Sequence, residues 1–241
     1  MNIPRHIIAC ADDMGFDSVA NAAILSCFEQ GYINSTSLMT NMAGFEEAVE
    51  LIHSKPVIKN IGVHVNLAEG QPLTNIDSHY LDKDGNWDVY KTKSPANTLN
   101  AAGRSAFLKE INAQIDKALS QKIPVTHVDS HLHLHSLPCF YRLFLTAAKQ
   151  RNLKLRLAQT YKGGSYIKYY YRKYINYLFR KSHLNNTDRF ETVSRCLKYY
   201  GQPGQKIKVE IMFHPSLDVS GQLTDNYDPF SFKEWVEYLG S

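Results

Sequence analysis

Residues 7–31, IIACADDMGFDSVANAAILSCFEQG, carry the reading that decides the fold. An apolar run, Ile7 to Ala11, is short enough for a buried strand and stops at two acids and a glycine. A second segment follows, from about Ser18 to Gln30. Its apolar residues Val19, Ala22, Ala23, Cys27 and Phe28 recur at helical period, and Gly31 ends it. A strand followed at once by an amphipathic helix is the unit of a parallel α/β protein.

The unit recurs outward along the chain. Strands are expected at Ser35 to Thr40, Ile61 to Leu67, Val125 to Asp129, Leu153 to Leu157 and Lys208 to Phe213. Helices are expected at Phe45 to Ile52, about Arg104 to Leu119, and Phe140 to Gln150. Six or seven strands predict an α/β fold of incomplete or distorted (β/α) barrel type, as one domain over residues 1–241. Two stretches interrupt the alternation and read as long loop excursions, at about 68–102 and 161–195. The second is rich in Tyr, Lys and Arg. Its preferred reading is a helix with Tyr and Leu packed inward and the cations solvated.

Composition narrows the function classes. With 44% hydrophobic residues the 241-residue chain can bury a sizeable core, and a net charge of +4 is too mild to indicate nucleic acid. The four cysteines form no CxxC pair, so neither a zinc ribbon nor a disulfide framework is expected. The first apolar run is only about five residues long before two acids, which does not read as a signal peptide, and a cytoplasmic location is expected.

In barrels of this kind reactive groups gather at the C-terminal ends of strands. Asp12 and Asp13 stand there after the first strand. Adjacent strand residues point to opposite faces, but a turn at the strand end can bring both acids to one site, as a metal ligand beside a general base. His64 and Asn66 share one face of the otherwise apolar strand IGVHVNL, which favours the lining of a site over a lone core histidine. The phrase THVDSHLHLH puts His127, Asp129, His131, His133 and His135 in ten residues. Imidazole is a common ligand for zinc-like ions, and a nearby aspartate can orient it. EIMFHP supplies Glu210 and His214, the histidine placed to give a proton to a leaving group. Arg156, in an apolar strand, needs a buried carboxylate, and Asp129 or Asp12 would serve.

Six phrases in order, ADDMGFD, NSTSLMTN, GVHVNLAEGQPL, THVDSHLHLH, LKLR and EIMFHP, resemble the YdjC-like carbohydrate deacetylases of the ChbG and HpnK type, over about residues 7–215. The resemblance implies an irregular barrel of the polysaccharide-deacetylase-like type. It also implies one divalent metal, magnesium or zinc, held by Asp13, His64 and His131. The implied reaction removes an N-acetyl group from an amino sugar, with a metal-bound water as nucleophile, Asp12 as base and His214 as acid. Asn66, Asp129, His133, Arg156 and Glu210 would touch substrate or support these groups. The chain departs from the family in the basic, aromatic stretch KGGSYIKYYYRKYINYLFRKSH and in ending soon after FKEWVEYLGS, where the family usually continues.

Two other readings compete. HLHLH contains HxH pairs, as in metal amidohydrolases and phosphoesterases, although those carry the pair on the first strand and hold two metals. Alternatively, Tyr161 to Arg195 could make the chain a glycan-binding or membrane-surface module with a vestigial site, or could select an anionic glycan or lipid-linked acceptor.

Overall fold

The computed structural model describes residues 2–94, 96–184, 187–202 and 204–241. In chain order the elements are β1 (Ile7–Met14), α1 (Ser18–Gln30), β2 (Ser35–Leu38), α2 (Phe45–Ser54), β3 (Ile61–Val65), α3 (Val89–Thr92) and α4 (Ala101–Ser120). There follow β4 (His127–Ser130), α5 (Tyr141–Arg151), β5 (Lys154–Leu155), α6 (Tyr166–Lys181), β6 (Arg189–Phe190), α7 (Val193–Tyr200), β7 (Val209–Phe213), β8 (Pro215–Leu217), β9 (Leu223–Asp225) and α8 (Pro229–Gly240).

Seven strands form one parallel sheet in the order β5-β4-β3-β2-β1-β7-β6. Each neighbour is next in sequence except at β1, where the end of the series meets its start. This is the winding of a barrel left open between β5 and β6. Beyond those edges, Thr160 N–H donates to the Phe190 carbonyl at 3.0 Å, an irregular stitch rather than a strand pair. The expected incomplete α/β barrel is therefore the observed one. β8 and β9 form a separate antiparallel hairpin.

Strand phase decides what the interior contains. Cys10 is registered with Ser35 and Met212, Ser37 with Gly62, Gly62 with His127, His64 with Asp129, and Ile8 with Glu210. Because side chains alternate, these small and polar residues share one face of the sheet. Ala9, Ala11, Val63, Val128 and Ile211 take the opposite phase and are buried in the hydrophobic core. The polar face is crowded: a Cβ at Gly62 would lie 2.3 Å from the His127 ring.

Local chemistry fixes α1 as expected. Asp17 caps it by accepting from Ala20 N–H at 2.8 Å, and Gly31 ends it at φ 75°. Several expected strands are shorter than read. β2 ends at Leu38, where Met39 N–H turns to the Met14 carbonyl, and β5 keeps only two residues because it is an edge with one strand partner.

The largest revision concerns 161–195, which is not a loop excursion throughout. It carries the four-turn α6, whose lysines Lys168, Lys173 and Lys181 are exposed as expected but whose tyrosines are mostly not packed inward. Ile175, Asn176 and Phe179 are buried, whereas Tyr166, Tyr170, Tyr174 and Tyr177 are 51–62% exposed. The 68–102 stretch holds α3, a bridge between Leu81 and Trp87, and a Trp87 ring stacked on Phe107 of α4. Among the described residues no helix is long and apolar enough to cross a membrane.

Candidate metal centre

Three donors from three strand ends converge. Asp13 Oδ1 lies 3.3 Å from His64 Nε2 and 3.2 Å from His131 Nδ1. Asp13 reaches this point through a backbone break: its φ is +70°, and the β1–β2 register shifts between Ala11 and Met14. Non-glycine residues seldom adopt that conformation. The turn is completed by Gly15 at φ +85°, where a Cβ would meet the Met39 carbonyl oxygen at 2.6 Å. It puts Asp12 and Asp13 on the same side of the strand end.

His64 is oriented from behind. Its Nδ1 lies 2.7 Å from Asp129 Oδ1, so the aspartate fixes the proton on Nδ1 and leaves the Nε2 lone pair facing Asp13. Asp129 also accepts from Ser37 Oγ at 2.8 Å. Burial alone would lower the His64 pKa, but Asp129 and Asp12 raise it. At His131 the penalty of burial is likewise overcome, by Asp13 and then Glu69, and its pKa is pushed up to about 9. Burial would raise the Asp13 carboxyl, but the hydrogen bond from His131 brings it down to about 2. Asp13 therefore holds positive charge against itself.

One guanidinium organises the floor. Arg156, 2% exposed, grips Asp12 with Nη1 and Nη2 at 2.6 and 2.7 Å, Asp129 with Nη2 at 2.7 Å, and Glu210 with Nε at 2.6 Å. Either carboxylate proposed for it would have served; the structure uses both and adds Glu210. Burial pushes the Glu210 carboxyl up, and Arg156 only partly offsets this.

With Asp13, four carboxylates share the region with one guanidinium. Asp13, His64 and His131 supply one carboxylate oxygen and two imidazole nitrogens within 4.8 Å of one another, a donor set that suits a divalent ion. The residues present fit a metal. Two further groups, Asp12–His64–Asp129 and Cys10–His127–Asp129, meet the same distance criterion. In the first, Asp12 and Asp129 are already taken by Arg156; in the second, burial pushes the Cys10 thiol well up, against its ligating thiolate form.

The remaining candidates divide. Asp12, His64, His131, His133, His214 and Tyr227 line one cavity of about 230 Å³. His214 stands at its rim, its backbone N–H donating to Asp225 Oδ2 at 2.6 Å and its ring edge-on to Tyr227 at 4.5 Å. His133 is presented by a kink in which Leu132 and His133 both have positive φ. Asn66 does not line that cavity. Its Oδ1 accepts from Ala68 and Glu69 N–H, shaping a turn that carries Glu69 to 3.4 Å from His131 Nε2. Glu69, Ser37, Asp225 and Tyr227 were not singled out from the sequence. Ser37, in the expected strand Ser35 to Thr40, and Glu69, three residues after Asn66 in NLAEG, stand in phrases on which the sequence reading rests. His135 is buried against Phe144, with Nδ1 2.9 Å from Ser130 Oγ. Among the described residues neither His133 nor His135 belongs to a group of donors within metal reach, so HLHLH supplies His131 alone to a candidate group and not an HxH pair of donors.

A family model described as YdjC-like protein matches residues 6–235. This chain belongs to that family. A carbohydrate deacetylase of Geobacillus stearothermophilus is 30% identical over 158 residues, 66% of this chain and 62% of that protein. A chitooligosaccharide deacetylase of Yersinia enterocolitica is 34% identical over 153 residues, 63% and 58% of the two. The matched region thus spans about six tenths of these relatives' length. The crystal structure of an Enterococcus faecalis V583 protein, named for cellobiose-phosphate cleavage, superposes with a TM-score of 0.72 over 97% of this chain and 93% of that one. At 19% identity this likeness concerns the fold.

Proposed function

We propose that the protein is a metal-dependent carbohydrate deacetylase that hydrolyses the N-acetyl amide of an amino sugar. The observation that carries the reading is the meeting of Asp13, His64 and His131, the two histidines lining one cavity with an arginine-held Asp12 and a rim histidine. Relatives named carbohydrate deacetylase and chitooligosaccharide deacetylase support the substrate class.

Asp13, His64 and His131 would hold one divalent ion, magnesium or zinc. When bound, such an ion supplies Lewis-acid charge for the acetyl oxygen and makes water a stronger acid. Asp12 has both oxygens fixed by Arg156 and faces the cavity, so it is placed to take a proton from the attacking water. Arg156 keeps that carboxylate in one orientation, which lowers the reorganisation needed at the moment of proton transfer. His214, across the cavity, donates a proton to the departing sugar nitrogen. The C–N bond breaks, and acetate and a free amine leave. Asp129 holds the His64 tautomer throughout.

Acetate release tests this. Metal-stripped protein is reconstituted with single divalent ions and offered N-acetylglucosamine, chitooligosaccharides, and nucleotide- and lipid-linked amino sugars. Metal-dependent release is expected, with Asp12→Asn and His131→Ala each lowering it by at least ~100-fold. Release that survives either substitution, or none from any acceptor with metal bound, overturns the reading.

A further inference from the structure

A larger cavity, of about 450 Å³, opens between α6, β6, α7 and the segment after β5. Its lining includes Lys162, Lys173, Arg180, Arg189 and Arg195, against a single described acid, Glu191. Glu191 is already spent: Oε2 accepts from Arg195 Nε at 2.8 Å and Oε1 from Thr160 Oγ1 at 2.7 Å. Arg180 and Arg189 both donate to one neutral acceptor, the Asp188 carbonyl oxygen, at 2.8 and 3.3 Å. The Asp188 carboxylate is turned to the Lys208 backbone N–H. Lys162 and Lys173 sit over the Tyr166 and Tyr169 rings, at 3.5 and 5.6 Å. Among the described residues, none of these two arginines and two lysines makes an ion pair.

Unpaired cations facing one another repel, and solvated surface charges ordinarily spread apart. Gathering them around a concave space focuses positive potential into it, and guanidinium forks match phosphate oxygens. The cavity also lies close to the candidate metal centre. Its Gln159, Tyr161 and Glu191 line a narrow space of about 120 Å³ whose other side is Met212, His214 and Tyr227. Those last three also border the cavity lined by His64 and His131. Shared walls therefore put the cationic cavity beside the metal donors, with one smaller space between them.

We propose that this cavity binds the phosphate or diphosphate group of an anionic acceptor whose sugar reaches the Asp13–His64–His131 cluster. The statement about the sugar rests on the deacetylase reading; the anion site does not. A soluble phosphate-bearing ligand and a lipid headgroup offer the same chemistry. The exposed Tyr166 and Tyr170 of α6 lie under Lys162 and Lys173 and would matter only to the lipid.

The probe is inorganic pyrophosphate, titrated calorimetrically into the full chain. Saturable binding that weakens as salt is raised is expected, with affinity falling at least ~10-fold in Arg180→Gln/Arg189→Gln. Among the described residues the ammonium groups removed by Lys162→Gln/Lys173→Gln make no hydrogen bond, so its loss of binding is not attributable to misfolding. In acetate-release kinetics, the preference for a diphosphate-linked over a neutral amino sugar, read as the KM ratio, should fall about tenfold in both variants. Absence of pyrophosphate binding, or equal binding by wild type and both variants, overturns the anion site. Pyrophosphate binding without acetate release from any acceptor sinks the deacetylase reading alone, and acetate release without pyrophosphate binding sinks the anion site alone. Sedimentation with phosphatidylglycerol vesicles, displaced by pyrophosphate, identifies a headgroup as the source; pyrophosphate binding without sedimentation identifies a soluble ligand.

Discussion

Replacing Arg156 by methionine tests whether one guanidinium holds the floor of the site together. The side chain is buried and contacts Asp12, Asp129 and Glu210 at 2.6–2.7 Å. Methionine fills similar volume but leaves three buried carboxylates without their counter-charge, a change that costs about 3–5 kcal/mol when a buried pair is broken. The pH dependence distinguishes this from a packing defect. In the wild type, burial acts to raise the Asp129 carboxyl, yet Arg156 and then His64 hold it well below the usual carboxylate range. That contribution is present above about pH 4 and is lost below it. In the variant nothing offsets the burial that already pushes the Glu210 carboxyl up, so it titrates further above its unfolded value. The folded form then binds more protons than the unfolded form, so stability recovers as pH falls from about 7 toward 5, by up to ~1.4 kcal/mol per pH unit for that group. Urea denaturation of Arg156→Met at about pH 7 and pH 5 measures both quantities, and Arg156→Met/Glu210→Gln should regain at least ~1 kcal/mol at the higher pH. A loss under ~1 kcal/mol, or one that does not shrink in acid, would refute the account.

Asp129→Asn should lower divalent-metal affinity ~10–100-fold by calorimetry, because it releases the His64 tautomer, whereas Ser37→Ala removes only one bond to Asp129 and should cost less than tenfold. Equal affinities for Asp129→Asn and wild type would mean that His64 is not oriented from behind. His135 gives an acid-sensitivity prediction. Burial pushes its pKa down to about 3, below the ordinary value near 6.5, so the unfolded chain takes up that proton first. Folded stability is fully present above about pH 6.5 and declines as pH falls toward 3, by up to ~1.4 kcal/mol per unit. A His135→Gln variant should show a flatter fall in urea midpoint between about pH 7 and pH 5. Identical slopes in the two proteins would show that the cause lies elsewhere.

The parts of the site that could be read directly are those fixed by local rules. Asp17 and Gly31 punctuate α1, and period-two alternation puts His64 and Asp129 in register on the polar face. Placement at strand ends follows from the same alternation, because an apolar strand must stop before its acids can be solvated or paired. The adjacency of Asp12 and Asp13 suggested a turn, but only the +70° φ at Asp13 says which acid Arg156 takes and which is left to the histidines. The illegible parts depend on what an element packs against. Helix α6 spreads aromatic residues over more than one face, so its period offers several apolar stripes, and its tertiary neighbours select Ile175, Asn176 and Phe179. Asn66 shows the same limit at a single residue. Strand phase puts it with His64, yet β3 ends at Val65, and once the strand has ended the phase no longer dictates direction. The side chain is captured by the Ala68 and Glu69 amides, and Glu69 is the residue delivered toward His131. A polar side chain one residue past a strand is claimed first by the backbone donors of the turn it begins. The acid three residues later inherits the position that the alternation had assigned to it.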